Sequence, residues 1–156
     1  MTVQGAEQLA GPVRLGAYRP VTDNDKYMQA RWANINIWEG ENLDCLFNQV
    51  YDVQIQAGKI EVCAALAGVS RAPFFRYTLQ VAVSENGRIT LALDGHIREN
   101  CIWLPRLGFE FELPKSNGAF SYYGMGPNEN YCDMNHAAHM GIFHSTAQQE
   151  YVPYIR

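Results

Sequence analysis

Apolar and polar positions alternate with a period of two along most of this chain, and that period predicts β-strands. Leu107, Phe109, Phe111 and Leu113 point one way, while Gly108, Glu110 and Glu112 point the other. Pro105 and Pro114 bracket this run, because proline cannot donate to a sheet ladder. A turn-rich segment, Lys115 to Gly118, leads to a short aromatic strand, Phe120 to Tyr123, which Gly124, Gly126 and Pro127 should end. The polar loop Asn128-Glu129-Asn130-Tyr131 follows. A strand that hands the chain to a glycine-rich polar loop either makes a binding edge or is a plain sheet corner.

The same period recurs upstream. Ile35 and Ile37 alternate with Asn34 and Asn36, and Tyr51, Val53 and Ile55 alternate with Asp52, Gln54 and Gln56. Ala57-Gly58-Lys59 reads as a turn into a partner strand carrying Ile60, Val62, Ala64 and Leu66. Phe75, Tyr77, Leu79, Val81 and Val83 form the next run, and Glu85-Asn86-Gly87 is a hairpin turn, since Asn and Gly tolerate positive φ. Arg88 to Ile97 returns. Two hairpins sharing a period of two argue for antiparallel sheet and against βαβ units. Thr22 and Asp23 are N-cap residues from which a short helix could run toward Trp32. Downstream, Cys132 to His136 is loop-like, His139 to Phe143 is strand-like, and Ser145 to Glu150 suits a turn or helix fragment. Residues 1–17 read as an irregular leading segment with at most one weak strand, because Gly5, Gly11, Pro12 and Gly16 break any helix. No repeat of fixed period and no long helical pattern interrupts this picture. The fold class expected is all-β, an antiparallel β-sandwich.

At 156 residues the chain is one domain by length, with 47% apolar residues, enough for a core. A net charge of −4 argues against nucleic acid or an anionic membrane as the main partner. The longest apolar run, Val62 to Val69, is too short to cross a bilayer, and the first residues carry no export pattern. Cys45, Cys63, Cys101 and Cys132 form no CxxC pair and read as reduced cysteines of a cytoplasmic protein, with packing as the expected role of the first three. The last residues, Tyr151 to Arg156, are extended and apolar with no polar tail, as expected of a truncated domain.

Chemistry-bearing candidates are few. Asp23, Asn24 and Asp25 could line a polar pocket or take a hard cation through oxygens, although the rest of an EF-hand spacing is missing. His136, His139 and His144 cluster in sequence without a metal-binding spacing suited to strands, so no metal is expected. Glu129 and Asp133 could form a carboxylate pair, but glycoside chemistry needs a separation of about 5–9.5 Å that sequence does not give. No GxSxG, Walker A or GxGxxG pattern is present. No residue is therefore assigned as catalytic.

Four blocks, in order, resemble the β-galactosidases of glycoside hydrolase family two. Tyr18-Arg-Pro-Val-Thr-Asp-Asn-Asp25 resembles WRAPTDND, and Leu104-Pro-Arg-Leu-Gly108 resembles LPRIG. Gly124-Met-Gly-Pro-Asn-Glu-Asn-Tyr-Cys-Asp133 resembles GxGPxENYxDR, and Tyr151-Val-Pro-Tyr-Ile-Arg156 resembles the YVPYVRPQENG that follows. The resemblance implies that residues 18–156 are the first half of the family's C-terminal domain, a galactose-mutarotase-like supersandwich also found as the small subunit of two-chain enzymes. It implies a parent reaction, the retaining hydrolysis of terminal β-galactosides by two glutamates on a separate barrel. It also implies that the large subunit or remaining domains are the partner, and that the family's Mg and Na sites lie in other domains, leaving no cofactor here; cut from that context, exposed sheet edges and apolar faces would favour self-association. Asp23, Asn24 and Asp25 then lead into a pocket-edge loop of about Asp23 to Met28, and Arg19, Arg106, Glu129, Asn130, Tyr131 and Asp133 match structural blocks. Departures are Tyr18 for Trp, the order Pro20-Val21-Thr22, Lys26-Tyr27 in place of a glycine, Cys132 for proline and Met134 for arginine. The rival reading is a free-standing carbohydrate-binding module or a mutarotase-like epimerase, with His96 or His144 and a carboxylate as its acid and base.

Overall fold

The computed structural model describes residues 2–3, 6–7, 9–21, 25, 40–101, 103–115, 118–130 and 135–151. The ten ordered elements among them are β-strands, and every pairing is antiparallel, consistent with an all-β sandwich. The chain divides into two units, Val13–Glu110 and Met1–Pro12 with Phe111–Arg156. Of the expected helix from Thr22 toward Trp32 only Asp25 is described, and it is helical; the strand at 34–37 and the extended tail after Tyr151 lie outside the described residues.

The Val13–Glu110 unit is built on a four-stranded sheet in the order β4-β5-β6-β7. Its strands are β4 (Leu46–Gln56), β5 (Lys59–Gly68), β6 (Phe75–Val83) and β7 (Ile89–Ile97). Turn chemistry sets the register. Gly58 and Gly87 take φ of 72° and 80°, a region that a Cβ disfavours. At the second turn the Ser84 amide donates to the Arg88 carbonyl (3.0 Å), and the Ser84 hydroxyl donates to Asn86 Oδ1 (2.6 Å). These are the hairpins the alternation predicts, with β4 starting earlier than expected. One grouping is corrected. Val50 pairs with Ala64 and Asp52 with Cys63, so Tyr51 is the extra residue of a β-bulge. The slip keeps Val53 and Ile55 on the apolar face but sends Tyr51 to the polar face, beside Arg76.

The core lies at one end of this sheet. Leu66 and Phe74 are fully buried, with Phe75, Leu15, Ala17 and Leu43 around them. Burying side chains of this size stabilises the fold by roughly 1.5–3 kcal/mol each. The cover comes from a two-stranded ribbon of β3 (Arg14–Gly16) and β8 (Gly108–Glu110), in which Leu15 is paired with Phe109. The strand expected from Leu107 to Leu113 is therefore only three residues long. Its partner β3 is equally short, so only Phe109 packs on the core, while Leu107, Phe111 and Leu113 are exposed. Tyr18 and Val21 also pack against this cluster and tie the start of the Tyr18–Asp25 block to it.

In the other unit, β1 (Thr2–Val3) pairs with β2 (Ala6–Glu7), so the leading segment holds more strand than expected. β9 (Ala119–Gly126) pairs with β10 (His139–Thr146) over their full length. Gly124 lies inside β9, which runs on to end at Gly126, just before Pro127. Rings replace the missing side chains: a Cβ on Gly126 would overlap the Tyr122 hydroxyl and come within 2.9 Å of the Phe143 ring. Tyr122 and Phe143 are a cross-strand pair with centroids 5.3 Å apart, the kind of contact that stabilises a two-stranded ribbon. The strand leaves the ladder at Pro127, after a cis Gly126–Pro127 bond.

Candidate functional site

The Tyr18–Asp25 block is held from within. Pro20 has no amide proton and keeps the chain extended, while Asp25 turns back toward Arg19. Arg19 donates two hydrogen bonds to the Asp25 carboxylate, at 2.6 and 3.1 Å. The two side chains are only 16% and 9% exposed. A forked guanidinium on a carboxylate is geometrically selective, and burial makes it sensitive to loss of either partner. Asp25 is thus an anchor at the end of the block, with both oxygens engaged. Asp23 and Asn24 lie outside the described residues.

The other motif residues spread over both units. Arg106 pairs with Glu110 four residues on, both largely exposed, which contributes little to stability. Asn130 donates from Nδ2 to the Met125 and Asn128 carbonyls, both at 3.4 Å, and pins the loop after β9. Glu129 is exposed in that loop, and Tyr131 and Asp133 lie outside the described residues. The Glu129–Asp133 pairing is therefore not on view.

Sequence reasoning missed a second buried carboxylate. Glu41, with a side chain 5% exposed, binds Arg98 from 57 positions away. Arg98 also donates to the Ala72 carbonyl at 3.3 Å. The Cys101 thiol hydrogen-bonds the same carboxylate. Burial, first, and then the negative charge of Glu41 push the Cys101 thiol up to about 11, with Arg98 opposing. Nothing local signals this cluster, because its members share no motif and meet only through the fold.

Two open troughs lie along β6 and β7. One, about 430 Å³, is lined by Tyr51, Arg76, Thr78, Asp94 and His96. The other, about 490 Å³, shares Arg76 and His96 and adds Pro73, Arg98, Glu99 and Asn100. His96 is the cross-strand neighbour of Arg76. In the other unit His144 Nδ1 lies 2.7 Å from the Ser121 hydroxyl, and His139 packs edge-on against Phe143. The histidine cluster in sequence thus becomes separate side chains with separate partners. Among the described residues no group of three or more His, Cys, Asp or Glu side chains gathers where it could hold a metal. Nor is any helix among them long and apolar enough to cross a membrane.

The family model described as "Beta galactosidase small chain" matches residues 1–156. The chain is 28% identical to a β-galactosidase of Actinobacillus pleuropneumoniae, over 93% of this chain and 14% of that protein. It is also 28% identical to a β-galactosidase of Vibrio cholerae, over 97% of this chain and 16% of the relative. A third β-galactosidase, from Lactobacillus delbrueckii subsp. bulgaricus, is 28% identical over 96% of this chain and 15% of its own length. The chain thus spans about a seventh of the length of these relatives.

Proposed function

The chain belongs to the β-galactosidase small-chain family, and from that premise we propose that it is a non-catalytic part of a β-galactosidase. In this reading the assembled enzyme removes terminal non-reducing β-D-galactose from β-galactosides with retention. The acid and nucleophile come from polypeptide outside these residues, and so do the sites for Mg and Na ions. The chain's part is to close the edge of the sugar pocket and hold the assembly together. The mutarotase-like supersandwich and a cytoplasmic setting belong to the same reading.

The observation that carries it is the ratio of coverage. Alignments take in 93–97% of this chain but only 14–16% of each enzyme. The two buried carboxylates among the described residues are already committed to partners. Asp25 and Glu41 are the two buried ones, and each is bound by an arginine. An acid and a nucleophile for glycoside cleavage need free access to the sugar from opposite sides of the bond. For the pocket edge, the support is the Arg19–Asp25 clamp, which ties the end of the Asp23–Asp25 block to a strand-adjacent segment packed on the core.

The test is complementation. The purified chain is mixed with a separately produced polypeptide carrying the remainder of the enzyme, and hydrolysis of a chromogenic β-galactoside is followed. The expected result is activity in the mixture and none in the chain alone. Hydrolysis by the purified chain that disappears in Glu129→Gln would overturn the reading.

A further inference from the structure

The polar face of the β4–β7 sheet is mostly self-satisfied. Gln80 donates to Glu61 at 3.0 Å, Lys59 lies 3.5 Å from the same carboxylate, and Gln54 donates to Asp52 at 3.2 Å. One region departs from this. Arg76 is in no ion pair among the described residues, and it stands over the ring of Tyr51 with its Cζ 5.8 Å from the centroid. Its Nη1 is 3.5 Å from the Tyr51 hydroxyl. The ring is presented by the bulge, since regular alternation would have turned it to the apolar face. Bulges that re-aim a side chain recur next to binding sites. Tyr51 is 56% exposed.

We propose that Tyr51, Arg76, Asp94 and His96 form an accessory saccharide-binding site. The trough they line, about 430 Å³, falls within the size range of small-ligand sites. The chemistry selects the ligand class. Arg76 only donates, Asp94 only accepts, and His96 and Thr78 can do either. An anion drawn to Arg76 would face Asp94 in the same trough and Glu99 in the next. A neutral polyhydroxylated ligand meets no such conflict, because its hydroxyls both donate and accept. A pyranose ring also has an apolar C–H face that matches an exposed tyrosine. The adjoining trough shares Arg76 and His96, which gives room for a second sugar unit. This site lies outside the carboxylate chemistry of glycoside cleavage, and it does not require the chain to take part in hydrolysis.

The test uses the full 156-residue chain, titrated with lactose and followed by amide chemical shifts, with inorganic phosphate as the control probe. The expected result is saturable shifts at Thr78, Asp94 and Gly95, and none with phosphate. Tyr51→Ala and Arg76→Gln should each weaken lactose binding by about tenfold or more. Tyr51→Phe, which keeps the ring, should retain most of the affinity. Both side chains are exposed, so all three variants should melt with the wild type. Absence of saturable lactose binding, wild-type affinity in Tyr51→Ala or Arg76→Gln, or shifts produced by phosphate in place of lactose would each overturn the proposal.

Discussion

Arg19 and Asp25, six residues apart, close a forked ion pair in which neither side chain is more than 16% exposed. Truncating one partner leaves a buried charge whose hydration the fold has already removed. Arg19→Ala and Asp25→Ala should each cost about 3 kcal/mol in denaturant unfolding. Arg19→Lys should recover part of that, since a lysine restores charge without the fork. In a double-mutant cycle the two losses should fall well short of adding. Full additivity would mean that the pair is a bystander and that the block is held by Tyr18 and Val21 alone.

Gly68 ends β5 where the backbone of Glu41 crosses it. A Cβ there would overlap the Glu41 carbonyl oxygen, and backbone cannot swing aside as a side chain can. Gly68→Ala should therefore destabilise the chain by roughly 1–3 kcal/mol. The shift should also disturb the Arg71 Nε hydrogen bond to the Gly40 carbonyl, at 2.6 Å. Gly108 has open space at the same position, so Gly108→Ala is the control and should melt near the wild type. Equal melting of the two variants would show that the crossing relaxes freely.

Cys101 should be a slow thiol. Burial and the neighbouring Glu41 raise its pKa from 9.0 to about 11, so at pH 8 very little thiolate is available to react. Exposed Cys45 should be alkylated first by iodoacetamide, with half-buried Cys101 modified more slowly in the folded chain than after unfolding. Above pH 9 the unfolded chain gives up this proton while the folded chain keeps it, so stability should fall between about pH 9 and pH 11. Cys101→Ala should flatten that part of the pH profile. A slope unchanged in the variant would assign the alkaline loss to other groups.

What was legible in the sequence divides by how local its cause is. β6 spans the predicted run Phe75 to Val83, because alternation and the Asn86-Gly87 turn act within a few residues. The resemblance of four ordered blocks to β-galactosidases was legible for the same reason, being written in contiguous residues. Tyr51 was misplaced because a bulge inserts one residue without any mark in the pattern, which parts Tyr51 from the face of Val53 and Ile55. The β8 run was read too long because alternation continues past Glu110 while its partner strand does not. Gly124 read as a stop signal, yet β9 runs through it to Gly126, where the rings of Tyr122 and Phe143, one of them from the paired strand, occupy the side-chain space. Glu41, Arg98 and Cys101 were invisible, since only the tertiary fold brings them together.

The apolar face of the four-stranded sheet supports one more expectation. Its core lies at the Leu66–Phe75 end. At the opposite end Val53, Ile55, Ile60 and Val83 are exposed by 48, 75, 38 and 53%. β4 and β7 are the outer strands of that sheet. An open edge beside an exposed apolar face favours association. The isolated chain should therefore sediment as a concentration-dependent mixture, and Ile55→Lys with Val83→Lys should shift it toward monomer without lowering its melting temperature. A wild type that stays monomeric at high concentration would refute this. The same double variant separates two occupants of the face. If it also blocks recovery of galactosidase activity in the mixture, the face is one that the rest of the enzyme covers. If activity returns undiminished, assembly runs through another surface, and self-association is a property of the chain alone.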